Sequence, residues 1–254
     1  MLFRSIVALD TVSPTQNAVS VVLPEQKLPV SELAGTWNVL SFERETAGGA
    51  LKASTATFTL DAAGKFTAGS DCAGIGDCTA WTTMPGSVTA SDSGGFTFTD
   101  TEGSLYHAYA LKTVDGQVSL YILDPNTMGF SVAAPQRALA LPALQSVNTF
   151  WDLTVASSGY AGAVTDTTTT VQSVDAATST FTRVRTADGR LDGFSVNKPR
   201  DGLRYRAAGT SATTAGGTVN YAEIISMPLP GTGLSVNTSV NPNQSFFGIS
   251  VNHD

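Results

Sequence analysis

The chain has 254 residues, enough for one large or two ordinary domains with a real core. Charged residues make up 14% and the formal charge is −7, an acidic balance that excludes a general nucleic-acid binder, which needs basic surface to displace counterions. No uninterrupted apolar run approaches the roughly 18 residues of a membrane-spanning helix.

Taken in chain order, the start is no export leader, because Ile6–Leu9 is a short apolar stretch that runs into Asp10. Leu2-Phe3-Arg4-Ser5 is what a sequencing-adapter end would encode. The first residues are therefore expected not to be a native start, which leaves room upstream for an export signal and for a lipid or cell-wall anchor. Val30–Leu33 is predicted to be a short helical turn before the strand that holds Trp37. Ala56-Thr57-Phe58-Thr59-Leu60 and Phe96-Thr97-Phe98-Thr99 alternate strictly, giving each strand one apolar and one wet face. Further on, Leu105, His107, Tyr109 and Leu111 are assigned to one strand face, which would place His107 at least half-buried. Val118, Leu120 and Ile122 share a face of the next strand. Ala138–Gln145 is predicted as a second short helical turn.

In the C-terminal half, eight strands are expected near 149–157, 166–174, 178–186, 190–197, 200–208, 217–226, 232–239 and 245–252. Turn signals such as Asp188-Gly189, Asp201-Gly202 and Ala215-Gly216-Gly217 separate them. The fold class is all-β. Eight antiparallel strands in about 110 residues make an up-and-down barrel, with a sandwich as the alternative. Short hairpin turns favour the barrel, since a Greek key needs longer crossing connections.

Landmarks recur along the chain. Asp10 and Asp124, Trp37 and Trp151, and Asp61 and Asp175 are each separated by 114 residues. Residues 1–30 are accordingly read as the tail of a truncated preceding copy or a linker, 31–142 as one unit and 143–254 as a second. Whether the copies form separate barrels or pool their strands into one is open at this level.

Leu33-Ala34-Gly35-Thr36-Trp37-Asn38-Val39 resembles the opening of lipocalin and other calycin barrels, in which a Gly-x-Trp begins the first strand after a short helical turn. Phe58–Phe66 resembles the hairpin of bacterial lipocalin-like domains. The resemblance covers about 40 residues of a unit. It implies a calycin-like barrel whose Trp packs across the closed end and whose open end takes a small apolar ligand. The second unit departs from it, because Thr149-Phe150-Trp151 lacks the glycine. Trp37 and Trp151 are both expected in structural cores.

Cys72 and Cys78 flank a glycine-containing loop, so a local disulfide is the natural pairing, which implies an oxidising, extracytoplasmic setting. With His107 and His253 the only histidines, no metal site is expected. Ser93, in Asp92-Ser93-Gly94-Gly95, superficially resembles a protease nucleophile loop but lacks a histidine in a recognisable setting, and is read as a polar turn. Asp100 and Glu102 read as turn residues more readily than as cation ligands. No phosphate loop or other cofactor motif occurs, so no cofactor is expected.

All seven basic residues of the second unit fall between 183 and 206. Arg183 and Arg185 share one strand face, as do Arg204 and Arg206, while Leu203 and Tyr205 point the other way. This is either a solvated outer face or an anion-binding patch, since guanidinium groups pair with carboxylate or phosphate oxygens.

Two functions follow as expectations. The first is a non-enzymatic, secreted, periplasmic or surface module that binds a small apolar or amphipathic molecule. The second is a structural or adhesive surface repeat without a cavity. A binding barrel should leave a few hundred cubic ångströms unfilled. A spacer should be filled by Trp37, Phe58, Phe96, Phe98 and Leu120.

Overall fold

The computed structural model describes residues 6–13, 16–22, 24, 26–44, 49–92, 94–101, 103–124, 129–156, 159–160, 164–239, 241 and 245–253. Ser93 and Glu102 lie outside them. The chain begins with an antiparallel hairpin of β1 (Ile6–Ser13) and β2 (Gln16–Val22). The helical turn predicted at Val30–Leu33 is present as a single 3-10 turn.

A curled sheet follows. Its strands are β3 (Gly35–Arg44), β4 (Leu51–Leu60), β5 (Phe66–Cys72), β6 (Cys78–Ala80) and β7 (Val88–Ala90). The meander returns through β8 (Phe96–Thr99), β9 (Leu105–Lys112), β10 (Val118–Asp124) and β11 (Gly129–Pro135), which pairs with β3. A lone bridge between Lys65 and Ser87 spans the gap between the two arms.

The inside of this sheet is filled. Trp37, Phe58, Phe96, Phe98 and Leu120 are all at most 6% exposed and form one apolar cluster. Trp37 lies parallel to Phe58, and its indole N–H donates to the Leu33 carbonyl at 2.9 Å, which ties the 3-10 turn to the sheet. Trp81 also packs here, lying so close on β5 that a Cβ on Gly69 would sit 2.0 Å from its ring. On β9 the apolar face is the reverse of the one read from sequence except at its end: Ala108 and Ala110 are buried and Leu105, His107 and Tyr109 are exposed, while Leu111 of the expected face is buried. Cross-strand packing decides the matter, because small Ala108 stands opposite buried Phe96 and leaves that ring its room.

The C-terminal half is a closed eight-stranded antiparallel barrel. Its strands are β12 (Val147–Ala156), β14 (Thr165–Asp175), β15 (Thr180–Arg185), β16 (Leu191–Val196) and β17 (Arg204–Arg206). They continue as β20 (Ile224–Leu229), β21 (Leu234–Ser239) and β22 (Phe246–Asn252), which closes on β12. Short β13 (Gly159–Tyr160) adds to β12. The neighbours run in chain order, so this is the up-and-down arrangement. One expected strand, 217–226, is divided in two. Its first part pairs as β19 (Thr218–Tyr221) with β18 (Gly209–Ala212) in an inserted hairpin, and its second part enters the barrel as β20.

Ala138–Gln145 is not a helical turn. Asn197 holds this segment extended by accepting from the Leu139 amide at 2.7 Å and donating to the Leu139 carbonyl at 3.1 Å, and Pro142 has no N–H for a helical bond. Leu139 and Leu141 pack against the cluster of Phe181, Phe194 and Val196.

The barrel's outer face is apolar where it meets the curled sheet. Leu40, Phe42, Val132 and Ala134 from β3 and β11 pack on Ile225, Met227, Val236, Phe247 and Ile249. Beside this contact Arg200 of the barrel reaches the disulfide, 3.1 Å from Cys72 Sγ and 3.2 Å from Cys78 Sγ. No helix is long and apolar enough to cross a membrane among the described residues.

Candidate functional site

With one barrel face committed to the curled sheet, polar side chains are sent inward. Period-2 alternation puts Phe181, Arg183 and Arg185 of β15 on the inner face, with Asp192 and Phe194 of β16 and Arg204 and Arg206 of β17 beside them. The four arginines singled out from sequence are thus brought together inside the barrel, with Arg190, rather than on a solvated outer face. Leu203 and Tyr205 turn outward into the apolar contact with the curled sheet, as the alternation required.

Asp192 is the hub of this wall. It is 1% exposed and accepts from Arg206 at 2.6 Å and from Arg190 at 3.0 Å, with Arg183 Nε at 3.9 Å. Arg185 is committed to Asp188 across a turn, with Nε to Oδ1 at 2.8 Å. The remaining positive charge rests on ring faces. Arg183 lies 4.8 Å from the Phe194 centroid and 5.3 Å from that of Phe150, and Arg206 lies 4.5 Å from Tyr221. Arg204 makes no ion pair among the described residues; it sits 6.0 Å from the Phe181 centroid, and its Nε is buried without a hydrogen-bond partner. Burial disfavours the charged forms of this cluster, pushing Arg183 down to about 10 and lowering Arg204 and Arg206 as well.

Across the barrel the lining changes. β21 and β22 lie four strands away from β15 and β16, on the opposite side of an eight-stranded cylinder. Their contribution is mostly small or neutral polar, with Ser235, Asn237, Gly248, Ser250 and Asn252 and, as the exception, Phe246; Gly233 joins from the turn before β21. These short side chains leave a cavity of about 520 Å³, within the range of small-molecule sites. Asp152 of β12 is the acidic member of this side. Burial raises its carboxyl above the ordinary value, despite hydrogen bonds from Ser250 and Thr167 and the pull of Arg183 and Arg185. Tyr221 and Asn220 of the inserted hairpin complete the lining.

The other sequence-level candidates are dispersed. Trp151 is 44% exposed and stacks on His253 at 4.2 Å, so it is not a core residue. The cause is register: β12 turns Phe150 and Asp152 inward, and Trp151 outward. His107 is exposed. Asp100 holds a turn by accepting from the Ser104 amide at 2.7 Å. Cys72 and Cys78 are disulfide-bonded. Asp152, Asp192, Tyr221 and Asn237 were missed by sequence reasoning. For Asp192 a signal existed, since Asp192, Phe194 and Val196 alternate on the strand beside the arginines.

No protein-family model matches the chain, and neither does any curated protein. Among solved structures, one similar chain is a Bacteroides fragilis protein provisionally named an outer membrane protein, at 8% identity and a TM-score of 0.24. Another is a Nostoc punctiforme protein of unknown function from the DUF3598 family, at 9% identity and a TM-score of 0.27. Each match covers 89% of this chain and 99% of the other.

Proposed function

We propose that the protein is an extracytoplasmic binding module that holds a small anion inside its C-terminal barrel. The observation that carries this reading is Arg204, a guanidinium buried in a cavity wall with no carboxylate of its own, beside the stacked Arg183. Five arginines line the cavity, while among the described residues Asp152 is the one carboxylate of its lining and Asp192 is already paired with Arg190 and Arg206, so an anion would relieve both repulsion and desolvation. The disulfide supports an oxidising compartment.

Of the expected small apolar or amphipathic ligand this reading keeps the polar part, since the guanidinium, hydroxyl and amide groups among the lining residues disfavour a wholly apolar guest. The spacer reading suits the curled sheet, whose interior is full. There it describes a buttress for the barrel rather than the role of the chain.

The test is calorimetric titration of the full chain with small carboxylates and phosphates, alongside neutral analogues of the same size. Anions should bind, more weakly as salt rises, and Arg204→Gln should abolish binding while circular dichroism stays unchanged. Equal binding of neutral analogues, or full binding by Arg204→Gln, would remove the proposal.

A further inference from the structure

The inward face around Arg204 is ordered by strand register. Arg204 pairs with Ser226, Ser226 with Asn237, and Asn237 with Gly248, so a guanidinium, a hydroxyl and an amide stand side by side on adjacent strands. Adjacent strands lie about 4.8 Å apart, so these three groups offer hydrogen bonds at regular steps around the wall. A second row runs Ser235, Ser250, Asp152, Thr165 by the same pairing. Within it Ser250 donates to Asp152, and Asn237 donates to Ser250 at 2.9 Å. The hydroxyls of Ser226 and Ser235 have no side-chain partner among the described residues.

Such a wall suits a guest whose body, as well as its charge, is polar. An alkyl tail pointed from Arg204 across the cavity would lie against Ser226 and Ser235 and leave their hydroxyls desolvated, at a cost for each polar group without a partner. Hydroxyl groups on adjacent carbons would instead donate to Asp152 and Asn237 and accept from the serines. Gly248, at the end of the first row, leaves space for a ring to lie close to the wall.

Resting on the anion-binding reading above, we infer that the guest is an acidic sugar. Its carboxylate or phosphate would be held at Arg204 and Arg183, and its hydroxyls read by the Ser226–Asn237 and Ser235–Asp152 rows. The aromatic rings behind the arginines hold the guanidinium planes in place, and the neutral wall supplies selectivity.

The experiment compares four probes on the full chain by calorimetry: D-glucuronate, glucose 6-phosphate, D-glucose and hexanoate. One or both acidic sugars should bind at least tenfold more tightly than glucose and than hexanoate; which of the two is tighter tells whether carboxylate or phosphate supplies the charge. The Ser226→Ala/Ser235→Ala double variant removes two hydroxyls and little volume. It should narrow the gap between acidic sugar and hexanoate severalfold, and Asn237→Leu should narrow it further. Hexanoate binding as tightly as the acidic sugars would overturn this inference and leave the anion-binding reading standing. Failure of every acidic probe would overturn both.

Discussion

Arg206 donates a 2.6 Å hydrogen bond to Asp192 inside the barrel, and the two side chains are only 5% and 1% exposed. Arg190 and Arg183 converge on the same carboxylate, so one aspartate compensates much of a buried cationic wall. Asp192→Asn keeps the shape and removes the charge. Removing one partner of a buried pair leaves the other uncompensated, so the substitution should cost roughly 3–5 kcal/mol of stability. Urea unfolding measures the loss, and a change under about 1 kcal/mol would mean that the arginines are compensated elsewhere. If the cavity binds anions, saturating glucuronate should recover part of the loss, because ligand binds only the folded state.

A second prediction concerns pH. Burial raises the Asp152 carboxyl in the folded chain above its ordinary 3.8. The native state therefore holds this proton over a window in which the unfolded chain has released it. By linkage, the contribution of Asp152 to stability is greatest below 3.8 and falls as pH rises through the raised value, after which it is constant. Asp152→Asn has no such proton. The stability of the wild type minus that of the variant, followed by urea unfolding from about pH 4 to pH 7, should decline with rising pH. A flat or rising difference would contradict the assignment.

Much of the fold was legible because the strands of the barrel alternate strongly. Asp61 and Asp175 show why the repeat landmarks were visible. Each follows or ends the second strand of its sheet and accepts two backbone amides of the next turn, Ala63 and Lys65 or Ala177 and Thr178. Facing was harder to read. Inward residues are odd-numbered on β3 and even-numbered on β12, so an offset of 114 matches an inward Trp37 to an outward Trp151. The site was half-legible for a similar reason. Arginine spacing showed which side chains share a face, but which face lay inside depended on the curled sheet covering the barrel's apolar exterior. Asp192 and Asn237 join the arginines only through barrel closure, a long-range relation that local periodicity does not carry.

The two tryptophans make that difference measurable. Trp37 is 1% exposed, stacked near Phe58 and hydrogen-bonded to Leu33. Trp37→Ala should cost about 3–5 kcal/mol, as for other large buried aromatics. Trp151→Ala removes a half-exposed ring and its stack on His253, which should cost about 0.5–1.5 kcal/mol. Acrylamide should quench Trp151 fluorescence and spare Trp37, as seen by comparing the single Trp→Phe variants. Equal losses from the two alanine substitutions would return Trp151 to the core.

The apolar contact between curled sheet and barrel gives a fourth prediction. Phe42 and Phe247 are both 0% exposed and face each other across it, with ring centroids 6.3 Å apart. Phe130 adds an edge-on contact to Phe247 at 4.7 Å. On the barrel side the covered residues Ile225, Met227, Val236 and Ile249 point away from the cavity, and it is the sheet that covers the apolar face they form with their barrel neighbours. Residues 143–254 produced alone should therefore expose this face, bind an apolar dye such as anilinonaphthalene sulfonate and self-associate, whereas the full chain should do neither. Phe42→Ala in the full chain should cost about 3–5 kcal/mol although Phe42 belongs to the other sheet. In that variant, loss of the barrel's unfolding signal together with that of the sheet would show that the contact couples the two into one cooperative unit. A monomeric, dye-silent 143–254 fragment would show instead that the barrel stands without its buttress.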